Sequence, residues 1–272
     1  MKKKRTFSLK HFLLLLALVF CVAYLCSGGT RIFQPKTWQH VGDYLPKAEQ
    51  PQSDRPSAAE EATFTDRISR LVFLRRAVAS HIRKDSYTAL NRIPLQLRQA
   101  VIAVEDNRFY SHHGFDAEGM MRAALVNLQY GEITEGASTI TQQLIKNLFL
   151  SQEQTFGRKA EELLLALDME ANYSKDEILE LYLNSIYFGS GYYGITDAAQ
   201  GYFAKEPQDL DLAEASMLAG LPNAPSLYSP YVDFLKAKKR QFIVLDAMAR
   251  TGFITKEQAE DAKIEPLYLA HE

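Results

Sequence analysis

With 272 residues, 47% of them hydrophobic, the chain is long enough to bury a core, which excludes a disordered polymer. A formal net charge of −2 with 24% charged residues excludes a generally basic nucleic-acid binder, so any anion site must be local. Both cysteines, Cys21 and Cys26, fall in the first apolar run, which excludes a disulfide framework or a cysteine zinc site elsewhere.

Residues 1–11 form a basic tail carrying Lys2, Lys3, Lys4, Arg5 and Lys10. An uncharged stretch follows at 12–30, near the short end of the ~17–25 residues that span a bilayer. Basic residues before the span and few after it predict a cytoplasmic N-terminus and an extracytoplasmic remainder. A cleaved signal, or a lipoprotein signal ending at Cys26, competes with a retained transmembrane anchor. Leu25 stands where a lipoprotein signal wants a small residue, and no small-x-small cleavage site precedes the polar region, so a retained anchor is expected. Residues 31–66, with Pro46, Pro51 and Pro56 among polar residues, read as a juxtamembrane segment and linker, and 67–272 as the functional domain.

Within that domain apolar residues recur at helical spacing, which predicts a mainly α fold. Pro94 suits the first turn of a helix with a stripe of Leu97, Val101 and Val104, expected to end near Tyr110. Asp116 is placed as the N-cap of a helix reaching Tyr130, where Gly131 stops it. Ser138 or Thr139 can cap a third helix that buries Ile140, Leu144 and Leu148. Arg158 opens a fourth with Glu162, Leu165 and Met169 on one side, and Ser174-Lys-Asp-Glu177 is a capping box opening a fifth. Further helices are expected at 210–219 and 234–250, with irregular cleft walls or loops at 187–194 and 220–230.

Glu105 lies four residues after Val101, at the border of the buried stripe, where partial burial raises a carboxylate's pKa and makes it a better base. A lone glutamate near a helix end is more often a surface residue; Asp106, His112 and His113 add titratable groups nearby. Ser138 and Thr139 precede a helix with Lys146 one to two turns in, so free N–H groups, the helix dipole and an ammonium together suit a phosphate or pyrophosphate. Gln142, Gln143, Lys146 and Asn147 lie away from Ile140 and Leu144, offering donors and acceptors to a sugar; the bland alternative is an ordinary capped helix with a solvated face. Arg158 and Glu162, one turn apart, are either an ion pair worth a few tenths of a kcal/mol or a second acid facing the cleft beside a guanidinium that meets phosphate bidentately. No His-Glu-x-x-His, phosphate-cradling glycine loop, Gly-x-Ser-x-Gly elbow or Ser-x-x-Lys with Lys-Thr-Gly is present.

Five ordered segments carry a family resemblance: 101–116, with Glu105-Asp-Asn-Arg-Phe-Tyr-Ser-His-His-Gly-Phe-Asp116; Gly136-Ala-Ser-Thr-Ile-Thr-Gln-Gln143 with Lys146 and Asn147; Arg158-Lys159 with Glu162; 174–184 with Tyr187-Phe-Gly189; and Ala219-Gly-Leu-Pro222 with Pro225 and Ser226. Together they resemble the peptidoglycan glycosyltransferases of family 51, found as monofunctional transglycosylases and in class A penicillin-binding proteins. Ala137 and Ala204 stand where that family more often has Gly.

The resemblance implies a mainly α, lysozyme-like domain with a small membrane-facing lobe, preceded here by one transmembrane helix. It implies polymerisation of lipid II into glycan strands by inverting glycosyl transfer, with release of polyprenyl pyrophosphate. Glu105 would take the proton of the acceptor 4-hydroxyl, and Glu162 would act near the leaving group. Lys146 and Arg158 would steady the pyrophosphate, and Asp106, Ser138, Thr139, Gln142, Gln143 and Asn147 would bind substrate. No cofactor is required, although a divalent cation (Mg or Mn) near Asp106 or Glu162 is compatible with the family. The implied partners are lipid II, the growing strand, the bacterial membrane, transpeptidases and other wall-synthesis proteins, with no nucleic acid. With no transpeptidase motif before Glu272, a monofunctional enzyme is expected. A lysozyme-like lytic enzyme and an inactive anchored scaffold are the rivals. A lytic enzyme has no use for a pyrophosphate site, and a scaffold has no reason to keep both Glu105 and Glu162.

Overall fold

The computed structural model describes Arg70 and residues 73–130, 138–150 and 156–271. The basic tail at 1–11, the apolar span at 12–30, the linker at 31–66 and Ala137 lie outside the described residues. Among those described, no helix is long and apolar enough to cross a membrane.

In the described residues regular structure is helical, save for an isolated antiparallel bridge between Tyr187 and Tyr193. In chain order the helices are α1 (Leu74–His81), α2 (Leu95–Glu105), α3 (Ala117–Tyr130), α4 (Ile140–Phe149), α5 (Phe156–Asn172) and α6 (Lys175–Ser185), then α7 (Ile195–Phe203), α8 (Leu212–Gly220), α9 (Pro225–Tyr228), α10 (Phe234–Arg250) and α11 (Lys256–Ile264).

The centre is α8, buried at every position from Ala213 to Gly220. Its Ala213, Ala215, Ala219 and Gly220 are small enough to let α2 and α10 close in on either side. Both neighbours present helical stripes: Leu97, Ala100, Val101 and Ile102 from α2, and Ala237, Gln241, Val244, Leu245 and Met248 from α10. Gln241 is wholly buried, and its amide Nε2 donates to the Ala213 carbonyl at 2.7 Å, which ties α10 to the start of α8. A second layer is formed by α4 lying on α5 and α6. Thr139, Ser174, Asp211 and Thr255 each close a capping box at a helix start, satisfying backbone donors that would otherwise be orphaned.

Two expectations are corrected. The first helix stops at Glu105 rather than near Tyr110, because Asp106 takes φ −161° and ψ 76° and its carboxylate serves other donors. A separate 3-10 turn at Phe109–Ser111 carries the chain onward. The segment at 220–230 contains the short helix α9, opened by Pro225. In addition, α7 begins directly after Gly194, whose φ of 83° and contact with the Asn184 carbonyl leave no room for a Cβ.

Ala204 closes α7 in the left-handed region, at φ 52° and ψ 34°. That conformation costs an L-residue roughly 1–2 kcal/mol, while glycine returns roughly 0.4–1 kcal/mol through its freer unfolded state. Ala204→Gly is therefore expected to raise unfolding stability by roughly 0.5 kcal/mol. A higher urea midpoint at unchanged m-value is the measurement.

Candidate active site

The site is assembled at the junction of α2 and α4. Asp106 is buried, and its carboxylate accepts the backbone N–H of Ile140 at 3.0 Å and His112 Nε2 at 2.9 Å, so that both oxygens are engaged. The first turn of α4 is thereby fastened to the end of α2. Thr139 adds a second fastening: its hydroxyl donates to the Gly114 carbonyl at 2.8 Å and accepts from the Gln142 N–H at 3.2 Å. The Gln142 side chain accepts the Thr139 N–H at 3.0 Å in return. Asp106, Thr139 and Gln142 thus face the protein's own backbone rather than an open cleft.

What this frame sets in place is Gln143 against Glu105. Gln143 Nε2 donates to Glu105 Oε2 at 2.8 Å, and Gln143 Oε1 accepts from the Tyr182 hydroxyl at 3.1 Å. From α10, an Arg240 terminal nitrogen lies 3.5 Å from Glu105 Oε1, with the two side chains only 12% and 7% exposed. Oε1 itself is buried and accepts no hydrogen bond. Burial pushes the Glu105 carboxyl above its ordinary value; the Gln143 hydrogen bond, Arg240 and Lys146 pull it down, and Asp106 pushes it up. A carboxylate with one oxygen held and the other accepting no hydrogen bond, in a site that penalises its charge, is arranged to accept a proton.

The second acid stands on α5. Glu162 is 2% exposed, with Arg158 on Oε2 at 2.9 Å and the Lys159 ammonium on Oε1. Lys159 also reaches within 3.5 Å of the exposed Ser138 hydroxyl. Lys146 rises from α4, exposed, with Asn147 half-buried beside it. Protein packed around the Lys146 ammonium lowers its pKa; Glu162 opposes that, Arg158 and Lys159 add to it, and Glu105 opposes it. Lys146 therefore lies within electrostatic reach of both acids, which joins the two groups into one cluster of cations around two carboxylates. Such a cluster can stabilise an oxyanion or a departing pyrophosphate.

The family resemblance is compatible with a divalent cation near Asp106 or Glu162. Each of these acids has both oxygens taken by protein donors, and among the described residues no three His, Cys, Asp or Glu side chains group as ligands. These residues as arranged do not fit such an ion, and no step below passes through one.

Three contributors went unassigned in the sequence. Lys159 meets Glu162 one turn along its own helix, whereas Tyr182 reaches Gln143 on a different helix. Arg240 lies outside every quoted motif. Its signal was positional: it falls between buried Ala237, Gln241 and Val244, on the inward side of α10, where a charge needs a partner.

Similarity to known proteins is concentrated in this domain. The family model described as Transglycosylase matches residues 74–249. Penicillin-binding protein 1F of Bacillus subtilis is 48% identical over 175 residues, covering 64% of this chain and 24% of that protein. Penicillin-binding protein 1A of Aquifex aeolicus is 47% identical over 191 residues, covering 70% and 26%. Penicillin-binding protein 1A of Neisseria gonorrhoeae is 52% identical over 182 residues, covering 67% and 23%. The chain thus spans about a quarter of the length of the curated relatives it matches.

Proposed function

Because the chain belongs to the transglycosylase family, we propose that it polymerises lipid II into peptidoglycan glycan strands. Glu105 acts as general base: Oε1 takes the proton of the acceptor's 4-hydroxyl, and that oxygen attacks the anomeric carbon of the growing strand. The bond from that carbon to polyprenyl pyrophosphate breaks, the pyrophosphate keeps the electron pair, and the centre inverts from α to β. Lys146 and Arg158 meet the negative charge that develops on the leaving group, and Glu162 holds Arg158 and Lys159 in place beside it. Gln143 orients the base, Ser138 and Asn147 contact substrate, and Asp106, Thr139 and Gln142 keep α2 and α4 in register.

The observation that carries this reading is Lys146, which interacts electrostatically with both Glu105 and Glu162. A base and a cation cluster that both act electrostatically on one ammonium suit a reaction that removes a proton and releases an anion. A lysozyme-like fold with a small membrane-facing lobe, and an anchor at 12–30 that keeps the domain outside the cytoplasm, complete the proposal. Holding enzyme and lipid substrate on one surface raises their effective concentration.

The experiment is incubation of the purified protein with lipid II, followed by separation of products by size. A ladder of glycan strands, with polyprenyl pyrophosphate released, is expected. Lys146→Ala should reduce turnover by about 10²-fold. Shortening of preformed strands without any ladder would instead identify a lytic enzyme.

A further inference from the structure

We propose that Arg240 is a positioning residue for Glu105, seated by a notch at Gly220, and that it keeps the base ionised and its accepting oxygen aimed at the acceptor. The inference rests on the reading of Glu105 as the base and adds a residue from α10, on a helix that contributes nothing else to the site described above.

The geometry fixes the guanidinium independently of Glu105. Arg240 Nε donates to the Gly220 carbonyl at 3.2 Å, at the end of α8, and the guanidinium carbon stands 5.7 Å from the centre of the Tyr228 ring on α9. A Cβ at residue 220 would come 2.8 Å from Arg240 Cγ and 3.3 Å from Val244 Cγ2. Because Cγ is near the root of the arginine, it cannot swing aside cheaply as a side-chain tip could. Gly220 therefore makes the space through which Arg240 reaches the site.

The separation from Glu105 matters as much as the pairing. At 3.5 Å the contact supplies Coulombic attraction but lies beyond a good charge-assisted hydrogen bond. Oε1 is thus held near a fixed cation while it accepts no hydrogen bond. Gln143 occupies Oε2, so the two partners together leave Oε1 as the oxygen that receives the proton. The charged and titratable groups facing Glu105 are Lys146 on α4, Asp106 at the end of α2, Tyr182 on α6 through Gln143, and Arg240 on α10. Arg240 is the charged neighbour with the strongest downward effect on the Glu105 pKa, ahead of Lys146.

The test is the pH profile of kcat with lipid II for Arg240→Gln, Arg240→Lys and Gly220→Ala, alongside Glu105→Gln. Losing the cation should move the acid limb of Arg240→Gln upward by about one pH unit. That displacement lowers the rate about tenfold at pH values below the limb and much less above it. Arg240→Lys should fall between Arg240→Gln and the parent, and Gly220→Ala should shift in the same direction as Arg240→Gln. A merely structural role predicts a pH-independent loss and an unmoved limb in all three variants, and that result overturns the proposal. If the Gln variant at Glu105 stays active, the base itself is misassigned; if it is inactive while the Arg240→Gln limb stays put, only the role of Arg240 fails.

Discussion

Glu105→Gln should give a folded protein that binds lipid II and makes no detectable glycan ladder, with turnover down by about 10²–10⁴-fold. The amide is nearly the same shape and can still accept from Gln143, but it cannot take the acceptor's proton. The same substitution should leave stability unchanged or raised. Burial lifts the Glu105 pKa above its ordinary value, so the folded state holds that proton more tightly than the unfolded chain does. Its contribution is therefore most favourable below the unfolded pKa and declines as pH rises through the ordinary carboxylate range to the raised folded value. Urea midpoints of parent and variant should consequently diverge in the variant's favour as pH rises above the ordinary carboxylate range. A variant that polymerises at near-parental rate would place the base elsewhere.

Glu162→Gln should lose both activity and stability. Glu162 is the buried acceptor shared by Arg158 and Lys159. Removing its charge leaves those cations, with Lys146 nearby, repelling one another without a counter-ion. Breaking a buried pair from one side costs on the order of 3 kcal/mol, and the misplaced cations should cost about 10²-fold in turnover. Thermal unfolding together with single-turnover kinetics would separate the two effects. Unchanged melting and full turnover would mean that Arg158 and Lys159 need no anchor at all.

Much of this arrangement was legible in the sequence because it rests on local rules. Capping-box spacing marked Ser174, Thr139 was one of two candidate caps, and the apolar stripes of α2 and α4 followed from a period of 3.6 residues. The ends of elements were harder to read. Asp106 stops α2 by accepting a hydrogen bond from Ile140, 34 residues away, and no local pattern encodes that partner. The roles of polar side chains were hardest of all. Gln142 and Gln143 are neighbours of one residue type, yet Gln142 closes a cap while Gln143 holds the candidate base. Gln142 stands three residues after Thr139, where the cap is closed locally, whereas the partner of Gln143 lies on another helix and is set by tertiary contacts. Arg240 was hidden for the same reason, being 135 positions from the carboxylate it approaches.

The amide of Gln143 has a polarity: its donor points at Glu105 and its acceptor at Tyr182. Because the Tyr182 hydroxyl is buried and its pKa lies well above the ordinary value, it stays protonated and keeps donating to Gln143 Oε1. Nε2 is left facing Glu105. With the amide turned over, its oxygen would instead accept a proton held by Glu105, which favours the protonated acid. Held by Tyr182, it offers only a donor, which favours the bare carboxylate. The buried phenol thus acts on the candidate base through the amide that lies between them.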